Sequence, residues 1–176
     1  MRIAVSGAHR TGKTTLIGEL SRALPTYAVV DEPYHLLEEE GHEFAEMPCL
    51  EDFELQLERS IQSLLDVEGD CLFDRCPSDI LAYLIVHEDS DGFDVDRWLP
   101  RAREAMERLD LIVFVPIESP DRVTVTVSDH RALRRRVDEE LQEIVLDDRW
   151  SLGVPAVEVT GACHERARQV LAHLRK

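Results

Sequence analysis

Asparagine is missing altogether from the 176 residues, and lysine nearly so: Lys13 and Lys176 are the two lysines among 20 basic residues, the rest being arginine. Without asparagine the Asn-Lys-x-Asp segment by which GTPases read guanine cannot exist, which argues against a signalling GTPase. Asp66-Val67-Glu68-Gly69 does match the Asp-x-x-Gly of a switch element, but it reads more simply as a helix end with Gly69 at the C-cap. Both shortages fit a GC-rich genome, and an acidic, lysine-poor surface also suits a high-salt cytoplasm. The four cysteines, Cys49, Cys71, Cys76 and Cys163, form no Cys-x-x-Cys pair, so zinc-ribbon spacing is absent and free thiols are expected. No histidine pair has His-Glu-x-x-His spacing. No apolar run approaches the ~20 residues of a membrane span, and Met1-Arg2-Ile3-Ala4-Val5 runs straight into a strand-like segment with no signal-peptide apolar region. A cytoplasmic protein with no membrane partner is expected.

Positive charge is short as well: 20 Lys and Arg face 36 Asp and Glu, a net charge of −16. That balance argues against nucleic acid as a partner, because such binding needs a basic footprint, and against docking on anionic membranes. Hydrophobic residues make up 44%, enough for a core, and the length suits one domain over 1–176.

Short apolar runs alternate with helical patterns from end to end. Ile3-Ala4-Val5, Tyr27 to Val30, Cys71-Leu72-Phe73, Leu111 to Val115 and Ala156 to Val159 read as strands, the fourth, most apolar one as the central strand. Helices are expected over Thr14–Leu24, 34–46, 51–68, 77–88, 95–109, 130–146 and 163–175. Val123-Thr124-Val125-Thr126-Val127 reads as a short strand or an extended lid segment. The alternation predicts βαβ units and an α/β fold with a mostly parallel five-stranded sheet covered on both faces.

Gly7-Ala8-His9-Arg10-Thr11-Gly12-Lys13-Thr14 matches G-x-x-x-x-G-K-[ST] at a strand-to-helix junction, the context that the motif requires. Its glycines let backbone N–H groups turn toward a phosphate, and the helix N-terminus adds partial positive charge. Lys13 is expected to reach the β- and γ-phosphates of ATP, and the Thr14 hydroxyl to ligate Mg²⁺. That the one internal lysine falls at this position adds weight. Gly7, Ala8, His9, Arg10, Thr11, Gly12, Lys13, Thr14 and Thr15 are the candidate nucleotide-binding residues.

Ligands of parallel sheets bind at the carboxyl ends of the strands. Strand two ends in Asp31-Glu32-Pro33 and strand three in Asp74-Arg75. A carboxylate there can accept a substrate proton or hold Mg²⁺, with Asp31, Glu32 and Asp74 all open as the base. An arginine there can hold a phosphate. Arg131, Arg134 and Arg135 share one helix face, with Arg136 more to the side. They read as a lid around 118–140 closing over the transferring group, or as a solvated face paired with Asp138, Glu139 and Glu140.

The stretch Ser6 to Leu16 resembles the small AAA-type ATPase/kinase group related to bacterial nicotinamide riboside kinases. Glu32-Pro33, Asp74-Arg75-Cys76 and the Arg131 to Arg135 spacing resemble the Glu-Pro, Glu/Asp-Arg-Ser and lid Arg-x-x-x-Arg of deoxynucleoside kinases, with Cys76 in place of Ser. The resemblance implies a three-layer P-loop NTPase fold of the nucleoside/nucleotide-kinase type. It implies Glu32 as the base for a substrate hydroxyl, Arg75 supporting that carboxylate and the phosphates, Arg131 and Arg135 as lid arginines, and Asp74 near Mg²⁺. The segment from Leu36 to Pro48 is acidic and poor in aromatics for stacking a base.

The expected function is phosphoryl transfer from ATP·Mg²⁺ to a small-molecule acceptor, a nucleoside or nucleotide foremost, by a monomer or homodimer. Two alternatives stand beside it: a regulatory ATPase acting on a protein partner, and a polynucleotide-end kinase.

Overall fold

The computed structural model describes residues 1–45, 49–87, 89–119, 121 and 128–175. Among them run β1 (Arg2–Ser6), α1 (Lys13–Ala23), β2 (Ala28–Val30), α2 (Pro33–Glu39), α3 (Leu50–Asp66), β3 (Cys71–Asp74), α4 (Pro77–Val86), α5 (Val95–Met106), β4 (Leu111–Phe114), α6 (Ser128–Leu141), β5 (Ala156–Glu158) and α7 (Cys163–His173). The stretch Val123 to Val127, with Pro120 and Arg122 of the expected lid, lies outside the described residues.

The five strands are all parallel, in the order β2-β3-β1-β4-β5. Successive strand residues point to opposite faces, and the core divides accordingly. Ile3, Val5, Leu72, Leu111 and Val113 pack with Leu16, Ile17 and Leu20 of α1 and Val170 of α7. Ala4, Cys71, Phe73, Ile112 and Phe114 pack on the opposite face, against apolar residues of α3, α4, α5 and α6. The result is three layers, helix–sheet–helix.

Several expectations shift. The middle strand is β1, not β4. Apolar content cannot separate them, because β3 and β4 are buried throughout and β1 from Ile3 onward. The second helix stops at Glu39, well short of residue 46. Gly69 does not cap α3: that role falls to Val67, in extended conformation, while Gly69 turns the chain toward β3 at φ +85°. α6 ends at Leu141 and runs into a π-turn, Gln142–Leu146. All four cysteines are free, Cys71 and Cys76 buried and the others half-buried. No helix among the described residues is long and apolar enough to cross a membrane.

The C-terminal ends of β1, β2, β3 and β4 converge where the loop Gly7–Gly12 turns into α1. Everything that follows is built at that edge.

Candidate active site

The loop begins with a glycine that nothing else can replace. Gly7 has φ +151°, and a Cβ there would lie 2.4 Å from the carbonyl oxygen of Val115. Gly12 closes the loop at φ +92° and starts α1. Lys13 is buried, with Nζ donating to the Ala8 carbonyl at 3.0 Å. Burial, helped by the charge of Arg75, lowers its pKa to about 8.

Five side chains from elsewhere fix the loop through its peptide groups, Arg75 among them through the Gly7 carbonyl. Asp79, fully buried on α4, accepts the Gly7 N–H at 3.0 Å. Tyr83, one turn further, accepts the His9 N–H at 3.1 Å. Arg134 of α6 donates from Nε to the His9 carbonyl at 2.8 Å and pairs with Asp121. Arg166 of α7 donates to the Thr11 carbonyl at 2.6 Å and to Glu118 at 2.7 Å, and Glu118 also accepts the Gly161 N–H at 2.7 Å.

The carboxylates at the strand ends separate into distinct environments. Asp74 accepts from Thr14 Oγ1 at 2.7 Å. Its other oxygen, Oδ1, is buried and has no hydrogen-bond partner among the described residues. Burial raises the Asp74 pKa despite the Thr14 hydrogen bond and Lys13. Glu32 lies with Oε2 3.2 Å from Arg75 Nε. Burial would raise its pKa, but Arg75 and Lys13 outweigh that and lower it, so Glu32 is an ionised acceptor at neutral pH. Asp31 is exposed, its carboxylate turned back to accept the Glu32 N–H at 2.8 Å.

Arg75 holds this edge together. Its φ is +75°, and its buried guanidinium lies 3.2 Å from Glu32, 3.5 Å from Asp79, within 3.3 Å of the Gly7 carbonyl, and over the Tyr83 ring at 5.3 Å. Burial favours its neutral form, but Tyr83, Glu32, Asp79 and Asp74 overcome this and raise its pKa.

Beside Glu32 opens a cavity of about 250 Å³ lined by Glu32, Tyr34, Phe44, Ala45, Asp52, Phe53, Gln56, Arg75, Ile80 and Tyr83. Tyr34 stacks on Phe44 with ring centroids 4.2 Å apart, and Phe53 on Tyr83 at 5.5 Å. The stretch Leu36 to Pro48 is poor in aromatics and supplies only Phe44 to this cavity; the other three rings arrive from α2, α3 and α4. Asp52 is buried at the wall, 3.4 Å from His42 Nε2 and accepting the Ala45 N–H at 3.3 Å.

Arg131, Arg134 and Arg135 border one hollow together with Asp121 and Asp138, as their spacing on one helix face predicts. They are not equivalent within it. Arg131 and Arg135 are exposed at its rim, whereas Arg134 is 2% exposed and turned onto the loop. Sequence spacing groups these arginines but does not single out Arg134. Asp79 and Tyr83 also escape notice, although Asp79 carries a usable signal: its carboxylate accepts the Cys76 N–H at 3.0 Å, as the third-position acid of a capping box does. Arg166 has no such signal.

The donor set around Thr14 suits Mg²⁺. The Thr14 hydroxyl and the Asp74 carboxylate, whose Oδ1 is buried with no partner among the described residues, are hard oxygen donors, and Mg²⁺ takes the rest of its shell from water and phosphate. Among the described residues no cluster of three His, Cys, Asp or Glu side chains stands ready to hold a metal by itself, so the ion would come with the nucleotide.

A family model described as an AAA domain matches residues 2–166. No curated protein sequence matches the chain. Among solved structures, deoxyadenosine kinase from M. mycoides with bound dATP superposes with a TM-score of 0.67 at 14% identity, over 100% of both chains. Thymidylate kinase from Ehrlichia chaffeensis gives 0.68 at 12% identity, over 99% of this chain and 98% of that one. NadR in complex with NR gives 0.67 at 17% identity, over 99% of this chain and 50% of that one. At such identities the likeness is one of fold, and the fold is the three-layer P-loop type of the nucleoside and nucleotide kinases. With the family match running from the first strand to the last helix, the chain belongs to this AAA-domain family.

Proposed function

We propose that the protein transfers the γ-phosphoryl group of ATP to a hydroxyl of a small molecule that carries a flat ring, a nucleoside foremost. One observation carries the reading: the Glu32 carboxylate lines the aromatic cavity and is clamped by Arg75, the residue next to the Asp74 that meets Thr14. An acceptor seated between the rings presents its hydroxyl to Glu32, which takes the proton as the oxygen bonds to the γ-phosphorus and ADP departs. Lys13 and the loop N–H groups hold the phosphates. Thr14 and Asp74 would hold Mg²⁺, which neutralises charge on the phosphate oxygens when bound.

The cavity favours a nucleoside over a nucleotide. It carries two carboxylates, Glu32 and Asp52, and its one guanidinium is engaged by Glu32, Asp79 and the Gly7 carbonyl. A phosphate on the acceptor would face like charge. The dATP and NR bound to two proteins of the same fold support a ligand that carries a base ring, without deciding between nucleoside and nucleotide. Residues 1–176 are read as one domain with a lid around 118–140, acting as a cytoplasmic monomer or homodimer.

The test is ADP release from ATP·Mg²⁺ across a panel of nucleosides, nucleotides and other ring-bearing alcohols. Glu32→Gln is expected to lower kcat about 100-fold or more while keeping ATP affinity. Undiminished turnover in that variant removes Glu32 as the base, and ADP release with no panel member removes the kinase reading.

A further inference from the structure

Tyr83 is buried on α4 and touches three parts of the site at once. Its hydroxyl oxygen accepts the His9 backbone N–H at 3.1 Å and lies 3.2 Å from His9 Nδ1. Burial and the cations Arg134, Arg75, Lys13 and Arg10 lower the His9 pKa to about 4, so the imidazole is neutral at pH 7 and Nδ1 can accept the hydroxyl proton. Its ring carries the Arg75 guanidinium at 5.3 Å. It also stacks on Phe53 with planes 9° apart, and both rings line the acceptor cavity.

We infer that Tyr83 is a positioning residue that sets the phosphate loop in register with the acceptor cavity. The rigid ring spans from the cavity wall to the His9 peptide, so its length fixes the separation between the two. A ligand packed against the ring limits its rocking, and the hydroxyl passes that restraint to the loop. Asp79 gives the loop a second anchor on the same helix at Gly7. Without the Tyr83 hydroxyl α4 would hold the loop at Gly7 alone, and the His9 peptide would keep only the Arg134 contact on its carbonyl, free to tilt about it. Phosphoryl transfer is sensitive to such a tilt, since a misplacement of ~1 Å can cost about 100-fold in rate.

The inference rests on reading the cavity as the acceptor site, and the experiment separates the two. Tyr83→Phe keeps the ring and its stacking and removes only the hydroxyl. Titrated with the non-hydrolysable analogue AMP-PNP, it is expected to bind about fivefold more weakly than wild type, the loss of roughly one hydrogen bond. With the best acceptor from the panel, its kcat is expected to fall about tenfold while acceptor KM stays within about twofold. Tyr83→Leu, which also loses the stacking, is expected to raise acceptor KM about tenfold in addition. Equal AMP-PNP affinity in wild type and Tyr83→Phe overturns the inference whether or not an acceptor is found. So does a Tyr83→Phe protein whose kcat holds while acceptor KM rises. A melting midpoint lowered by more than ~8 °C, with kcat and KM both impaired, assigns a merely structural role and also overturns it. If wild type releases ADP with no acceptor, it is the kinase reading that fails, and the AMP-PNP titration alone decides the role of Tyr83.

Discussion

Arg134 Nε lies 2.8 Å from the carbonyl oxygen of His9, and the same guanidinium is paired with Asp121. A helix expected to swing arginines over the nucleotide thus has one of them planted beneath the phosphate loop. Arg134→Ala would leave the His9 carbonyl without this donor and Asp121 without this partner. Breaking a fully buried pair costs about 3–5 kcal/mol. Asp121 is one-third exposed, so about 2 kcal/mol is expected, read as a lower urea midpoint, together with weaker ATP binding. Arg134→Lys should restore only part of the loss, because an ammonium cannot fork between a carboxylate and a carbonyl.

Asp31 and Glu32 make a sharp pair for mutagenesis. Asp31 is exposed and accepts a backbone N–H, whereas Glu32 sits at the cavity. Asp31→Asn should leave kcat within about twofold of wild type, where general-base loss at Glu32 costs about 100-fold. Steady-state kinetics of the two variants side by side checks this, and a large loss in Asp31→Asn would transfer the base to that residue.

Lys13 makes nucleotide binding depend on pH. Its pKa is lowered to about 8 in the free protein, and bound phosphates would raise it again. Below pH 8 the ammonium is charged before and after binding, so affinity should be flat. Above pH 8 the free protein sheds a proton that binding must restore, and affinity should fall by up to about tenfold per pH unit. Calorimetry in buffers of different ionisation enthalpy should register proton uptake at pH 8.5 and none at pH 6.5. The same shift acts on stability with the opposite slope. The unfolded pKa of 10.5 exceeds the folded one, so the cost of burying the charge is fully present below pH 8 and is relieved as pH rises toward 10.5.

Phe44 supplies one face of the stacked pair on the cavity wall. Phe44→Ala is expected to raise acceptor KM about tenfold, of the order of one aromatic stack, with AMP-PNP affinity unchanged. A matching drop in nucleotide affinity would mean that the ring supports the fold rather than the acceptor.

The phosphate loop was legible from residues alone, because its geometry demands glycine at two fixed positions and lysine at a third. Gly7 under the Val115 carbonyl and Gly12 at φ +92° are those demands met. The strand-end pairs were legible for a similar reason, since parallel topology places every strand's exit at one edge. The aromatic cavity was not. Tyr34, Phe44, Phe53 and Tyr83 come from four separate segments, and only the packing of α2, α3 and α4 brings them together. Nor was the role of Arg134, because neighbouring arginines on one helix face differ only in which of them tertiary packing buries. The central strand was misjudged because apolar content reports burial on two faces, which β1, β3 and β4 share.

The anchors on the phosphate loop reach it almost wholly through its main chain. Asp79 and Tyr83 take the N–H groups of Gly7 and His9, and Arg75, Arg134 and Arg166 give to the carbonyls of Gly7, His9 and Thr11. Peptide groups are the same whatever residue carries them. Between the two glycines, the loop is therefore open to drift during evolution, whereas the five anchors, scattered over 92 positions of the chain from 75 to 166, are not. Divergence in this lineage should be tolerated in the phosphate-binding stretch itself sooner than in the distant residues that brace it.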